Sequence, residues 1–297
     1  MRNFEFLRPT SLDEAIFLLQ RHGDDAKAMA GGQSVVLLLR EGLIVAEVIV
    51  SLAKIPGLDD IEAAADALTL GGLTTHRQVE NSPAIREHFP FICEAYPMVA
   101  TVPVRNIATI GGNLCHNAPG SDPPAWFIAL DATVTLRGPE GERTLTVEEF
   151  GTSYYETALK PAEILTSIRL PLMSANTGIA YHKYATRPMD MAFVGVAARV
   201  TLEPESDQGA EVRVALSGVA PTTIRARNVE AALRGQRLTE AVIAEAAALA
   251  AAEIEPMSDG HASAEYRRKL TVPAARRMLT EAWRRAQASS ANPRSGA

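Results

Sequence analysis

The chain has 297 residues, 47% of them hydrophobic and 22% charged, the balance of an ordinary globular protein and not of a disordered, collagenous or membrane-embedded one. With 29 basic against 35 acidic residues its formal charge is -6, so it lacks the cationic surface that attracts phosphate backbones, and nucleic acid is excluded as a partner class. The length favours two domains over one, and two cysteines, Cys93 and Cys115, are too few for a disulfide scaffold or for an iron-sulfur cluster. A reducing, cytoplasmic compartment fits this cysteine usage. The opening Met1-Arg2-Asn3-Phe4-Glu5 has no apolar signal core, and no run of about 18 apolar residues occurs, which sets export and membrane spanning aside.

Ser11 to Gly23 predicts an amphipathic helix: Leu12, Ala15, Ile16 and Leu19 recur at helical spacing, Ser11 and Glu14 make a capping-box pair, and a glycine ends the run. Ala28-Met29-Ala30 reads as a short strand running into Gly31-Gly32-Gln33-Ser34, followed by a buried helix from Val35 to Leu39. Residues 47 to 52 predict a buried strand, Pro56-Gly57 a break, and Ile61 to Leu73 a hairpin. From His76 to about Ala100 the pattern is helical, cut into short pieces by Pro83, Pro90 and Pro97. Pro123 to Leu130 predicts a short helix. Val134, Leu136, Leu145 and Val147 fall on alternating strands around Pro139-Glu140-Gly141, and Ile164 to Leu170 adds another strand.

The loop from Pro171 to Gly178 is the best domain boundary, placed near residue 176. Beyond it, strands at Tyr181 to Ala185, Phe193 to Leu202 and Val212 to Val219 precede helices near Thr223 to Leu233, Glu240 to Glu253 and Val272 to Arg285, an α+β order. In the last helix Ala275, Met278, Leu279 and Ala282 form the buried stripe, Pro273 suits the first turn, and Arg276, Arg277, Arg284 and Arg285 form a solvated face. Residues 287–297 are expected to be a disordered tail.

Two glycine clusters carry the chemical signal. Ala30-Gly31-Gly32-Gln33-Ser34 and Thr109-Ile110-Gly111-Gly112-Asn113 each sit at a turn beside buried apolar structure. Consecutive glycines let backbone N–H groups approach a phosphate with no Cβ in the way, and a following helix N-terminus adds partial positive charge. Ser34, Thr109 and Asn113 add side-chain hydrogen-bonding groups. Together the clusters suit a pyrophosphate; singly, each reads first as a tight turn. Neither is G-x-G-x-x-G or G-x-x-x-x-G-K-[ST], so a Rossmann site or a P-loop finds no support. Cys115-His116 lacks the spaced partners of a metal site, and His76 suits a structural hydrogen bond at a helix start. No catalytic residue and no metal ligand is assigned.

The chain resembles the FAD-binding medium subunits of molybdenum hydroxylases, the carbon monoxide dehydrogenase and xanthine dehydrogenase family, over nearly its whole length. The resemblance is carried by Phe6 with Arg8-Pro9, the Ala30 to Ser34 turn, Gly72-Leu73-Thr74-Thr75-His76, and Val104-Arg105-Asn106-Ile107-Ala108 leading into Thr109 to Asn113. Ser121-Asp122-Pro123, Glu163-Ile164-Leu165 and the run from Tyr184 to Ala192 complete it.

It implies an α+β chain: a two-lobed FAD-binding domain of the vanillyl-alcohol-oxidase (PCMH) type at 1–176, with lobes at about 1–56 and 57–176. A smaller C-terminal domain of the CO dehydrogenase flavoprotein type follows at 177–286. By the same resemblance Ala28, Met29, Ala30, Gly31, Gly32, Gln33, Ser34 and Val35, with Thr109, Ile110, Gly111, Gly112 and Asn113, clasp the FAD pyrophosphate and ribityl chain. Asp122, Leu165 and Lys183 match other flavin-contacting positions, and Val99 a weaker one. Read from residues alone, Asp122 is equally the N-cap of the helix opening Pro123-Pro124, and Lys183 an ordinary solvated strand lysine.

The implied role is the electron outlet of a cytoplasmic complex. A large subunit holds a molybdopterin-type molybdenum cofactor and a small subunit two [2Fe-2S] clusters, as a dimer of heterotrimers, and the acceptor is NAD, a quinone, a cytochrome or oxygen. The alternatives are a self-contained FAD-dependent reductase or oxidase with the same cofactor domain, and an assembly protein that has lost its cofactor.

Overall fold

A computed structural model describes residues 3–291 of the chain. Three sheets organise it. The first is a three-stranded parallel sheet of β1 (Glu5–Leu7), β2 (Ala26–Met29) and β3 (Val48–Ser51) in the order β1-β3-β2. Parallel neighbours require crossovers, and these are α1 (Leu12–His22) and α2 (Val35–Glu41). The Ser11 hydroxyl caps α1 by accepting from the Glu14 amide at 3.2 Å, Ala15, Ile16 and Leu19 are buried, and Gly23 ends the helix at φ 52°. The central strand β3 is buried throughout. The chain leaves β2 at its carboxyl end into the first glycine cluster, the edge where ligands of open parallel sheets bind.

The second sheet is antiparallel and runs β4-β5-β10-β6-β7: β4 (Ile61–Ala63), β5 (Ala67–Gly71), β6 (Thr133–Gly138), β7 (Gly141–Thr146) and, after the small hairpin of β8 (Gly151–Ser153) and β9 (Glu156–Thr157), β10 (Ile164–Pro171). Between β5 and β6 lie short helices, α3 (His76–Asn81), α4 (Pro83–His88), α5 (Pro90–Ala95), α6 (Val102–Arg105), α7 (Ile110–His116) and α8 (Pro123–Ala129). Prolines at the first or second position of α4, α5, α6 and α8 account for their brevity, since proline is accepted at a helix start and not inside it. The core between sheet and helices contains Trp126, Tyr96, Phe89, Phe127 and Phe150, all fully buried.

Val147 is not on a strand. It opens α9 (Val147–Phe150), because Thr146 and Glu149 form a reciprocal capping box that turns the chain into a helix.

The third sheet, β11 (Thr177–Tyr184), β12 (Val194–Leu202), β13 (Gly209–Ser217) and β14 (Ile224–Arg225), is an antiparallel meander. One face packs on α10 (Arg227–Leu233), α11 (Glu240–Ala248) and α12 (Ala264–Ala291); on the other, Ala197 and Ala215 join the Trp126 core. Thr223 precedes β14, so the helix expected from it starts only at Arg227. The last helix begins at Ala264, where the Ser263 hydroxyl accepts from the Tyr266 amide at 3.1 Å, and Pro273 therefore lies inside it.

Its arginines divide. Arg276, Arg277 and Arg284 are exposed, whereas Arg285 pairs with Glu94 and Glu281 and donates to the Ile179 carbonyl. The expected tail is helical as far as Ala291, with the Gln287 amide donating to Asp207 at 2.7 Å; its remainder, 292–297, lies outside the described residues. Among the described residues no helix is long and apolar enough to cross a membrane.

Candidate functional site

The two glycine clusters, distant in sequence, are adjacent in space. A Cβ on Gly31 would stand 2.0 Å from the Ile107 carbonyl oxygen, and one on Gly112 would stand 3.5 Å from the Ala30 Cβ. The sequence explanation for these glycines needs correcting at two positions. The space left free at Gly31 and at Gly111 is taken by protein backbone, Ile107 in one case and the Gly72 oxygen at 2.4 Å in the other. Gly72 in turn lies against Leu165, whose carbonyl oxygen would be 2.3 Å from a Cβ there. Leu165 thus joins the site as a buttress two contacts behind the turn.

The backbone donors of the two turns differ. Among the described residues, the amides of Gly31, Gly32, Gln33 and Ser34 have no acceptor in the chain. These residues and Val35 are half-buried, and Gly32 has φ +78°, a conformation that suits glycine. Ala28 and Met29 end β2 just before the turn. In the second turn Ile110 donates to the Thr74 carbonyl at 2.9 Å, Gly111 to the Gly72 carbonyl at 3.1 Å, Gly112 to the Thr109 hydroxyl at 3.0 Å and Asn113 to the Thr109 carbonyl at 2.9 Å. Thr109 is the cap of α7.

Asn113 links this turn to a buried ion pair. Its side-chain oxygen accepts from the Ser121 hydroxyl at 2.8 Å, and the next residue, Asp122, accepts from the Lys183 ammonium at 2.8 Å. Lys183 is buried, which overturns the solvated-lysine reading. Asp122 precedes α8 but makes no capping bond, because Lys183 takes one carboxylate oxygen and the Tyr181 hydroxyl donates to the other. Burial pushes the Asp122 carboxyl above its usual range, against the opposing pull of Lys183 and Tyr181. Removing one member of such a pair strands the other and costs about 3–5 kcal/mol. One bond accounts for the Lys183 ammonium, so two of its three N–H donors have no acceptor among the described residues although the side chain is 2% exposed.

Val99 stands apart. Its side chain is in the core, and its carbonyl and that of Ala100 accept from the buried Arg105 at 2.7 and 2.8 Å, while Glu80 balances the guanidinium. His76 is structural: burial and Arg105 lower its pKa to about 4, its ring nitrogen is 3.4 Å from the Tyr96 hydroxyl, and its amide donates to the Ala108 carbonyl just before the second turn. Burial pushes the Cys115 thiol up to about 12, and the His116 ring packs beside Tyr155.

Sequence reasoning gave no role to Tyr181, Ser121, Arg105 or Gly72. For Tyr181 a signal existed: two residues before Lys183 on a strand, it faces the same way.

Amides with no acceptor among the described residues at the carboxyl edge of a parallel sheet, linked through Gly112, Asn113 and Ser121 to the pair of a buried ammonium, fit an anionic dinucleotide. The family comparisons agree with that chemistry. Residues 2–173 match the FAD binding domain in molybdopterin dehydrogenase, and residues 179–282 the CO dehydrogenase flavoprotein C-terminal domain. The carbon monoxide dehydrogenase medium chain of Hydrogenophaga pseudoflava is 33% identical over 95% of this chain and 98% of its own. The 6-hydroxypseudooxynicotine dehydrogenase complex subunit alpha of Paenarthrobacter nicotinovorans is 32% identical over 96% of each chain. A solved structure of the Hydrogenophaga pseudoflava carbon monoxide dehydrogenase, lacking the Mo-pyranopterin moiety, superposes with a TM-score of 0.92 at 34% identity, covering 96% of this chain and 98% of that one. Two domains matched in series, with full-length relatives of the same build, show that the chain belongs to the FAD-binding medium subunits of molybdenum hydroxylases, a family of oxidoreductases.

Proposed function

We propose that this chain is the electron outlet of a cytoplasmic three-subunit molybdenum hydroxylase, built as a dimer of heterotrimers with a large molybdenum subunit and a small subunit carrying two [2Fe-2S] clusters. The observation that carries the reading is the row of amides at Gly31–Ser34 that have no acceptor among the described residues, set against the second glycine turn. In this reading those amides donate to the FAD pyrophosphate, and the Ser34 hydroxyl and Asn113 side-chain amide add to the clasp along the ribityl chain. Lys183 places a buried positive charge where it favours the reduced, anionic flavin, and Asp122 keeps that charge in place. When bound, FAD supplies the exchange between one-electron carriers and an external acceptor. Substrate oxidation belongs to the molybdenum partner, and no side chain of this chain acts as nucleophile or base.

Affinity purification from native cells, with an absorption spectrum and metal analysis of the co-purifying material, tests the proposal. A large and a small partner arriving together with FAD, iron and molybdenum is the expected outcome. A lone yellow protein that oxidises NADPH would overturn the outlet role in favour of a self-contained flavoenzyme.

A further inference from the structure

Tyr181 and Lys183 project from the same face of β11 towards Asp122 and occupy one carboxylate oxygen each. The Tyr181 ring is itself held: it packs edge-on against Trp126 with centroids 5.4 Å apart, and Trp126 packs edge-on against Tyr96 at the same distance. Room for the phenol comes from Gly195, the residue paired with Lys183 across the sheet, where a Cβ would stand 3.1 Å from the Tyr181 oxygen. Burial and the neighbouring Asp122 keep the phenol protonated, so it acts as a donor.

We propose that Tyr181 is a positioning residue of the flavin site: its hydroxyl fixes the Asp122 carboxylate, and through it holds the Lys183 ammonium with two donors free for the cofactor. The inference rests on the FAD reading above and deepens it. Without the phenol, one carboxylate oxygen has no donor, the carboxylate is free to turn about its own axis, and the ammonium turns with it. Tyr181 touches no reacting atom in this scheme and works only through Asp122.

The test uses the purified three-subunit complex. Tyr181→Phe keeps the ring on Trp126 and removes only the hydroxyl. The expected result is full FAD content with a flavin midpoint potential shifted negative, in the same direction as Lys183→Ala and by less. In an Asp122→Asn background the shift caused by Tyr181→Phe should vanish, because no charged acceptor is left to orient. Ser217→Ala changes a buried hydroxyl that borders Gly195 but makes no bond to Asp122, and should leave the potential at its wild-type value. An unchanged potential in Tyr181→Phe, additive shifts in the double variant, loss of FAD from Tyr181→Phe, or an equal shift from Ser217→Ala would each overturn the positioning role. A wild-type complex that contains no FAD would overturn the underlying reading instead.

Discussion

At Gly31–Ser34 four consecutive amides have no acceptor among the described residues, whereas at Ile110–Asn113 every amide is engaged, two of them by the Gly72–Thr74 segment. Both contain paired glycines, the first pair just ahead of a seven-residue helix and the second within the first turn of one. Their donors nevertheless differ in use: the first turn leaves its amides unengaged among the described residues, and the second commits its own to the Gly72–Thr74 segment and to the Thr109 cap. A glycine pair therefore says that something comes close, and the partner's identity has to be read from the surrounding hydrogen bonds.

Gly111→Ala strains the second turn most. Its Cβ would meet the Gly72 oxygen at 2.4 Å and the Gly72 Cα at 2.8 Å, so the Gly72 backbone must shift. Denaturant unfolding should show a loss of about 4 kcal/mol or more, or no folded protein. A variant of wild-type stability would contradict the close backing of Gly111 by Gly72.

Acid tests the same turn without mutation. The His76 pKa is about 4 when folded, against 6.5 for the ordinary side chain, so the unfolded chain binds the extra proton first. Stability is full above about 6.5 and falls as pH drops towards 4, by roughly 3 kcal/mol for this one group. His76→Gln should flatten that limb of the stability profile, and an unchanged acid limb would remove His76 as its cause.

Gly32→Ala addresses the first turn. The new Cβ meets side chains alone, the Met29 sulfur at 3.2 Å and a Val36 methyl at 3.6 Å, but the residue keeps φ +78° at a cost of about 1–2 kcal/mol. The protein should fold yet retain less FAD, measured as flavin absorbance per polypeptide. Full flavin content would sever the first turn from the cofactor.

The smallest effect is a matched pair. Thr109→Ala removes a helix cap and should cost about 1 kcal/mol. Ser34 makes no capping bond, so Ser34→Ala should change stability by about 0.5 kcal/mol or less while weakening flavin retention. Equal stability losses in the two variants would erase the distinction between the turns.

Much of this was legible from the chain alone where the signal is local. The α1 helix carries its cap, stripe and stop within thirteen residues. Both glycine pairs stood out for the same reason. What separates them did not, because the acceptors that occupy the second turn lie on Gly72 and Thr74, far back in the sequence. The start of α12 was missed because Pro273 imitates a first turn, while the effective cap, Ser263, lies ten residues earlier. Asp122 and Lys183 came to notice only through family resemblance; the alternation of Tyr181 with Lys183 was visible, but not the carboxylate that both would meet.

Strand β10 also sets the order in which the sheet can close. It is the last strand of the five-stranded sheet in sequence yet lies in the middle, paired with β5 on one side and β6 on the other, and its Leu165 carbonyl backs Gly72. During synthesis the outer strand pairs exist before the residue that joins them does, and the second glycine turn has no backing until Leu165 arrives. Such long-range closure is slow relative to helix and hairpin formation. The second glycine turn thus gains its backing only after most of the FAD-binding domain match, residues 2–173, has been made.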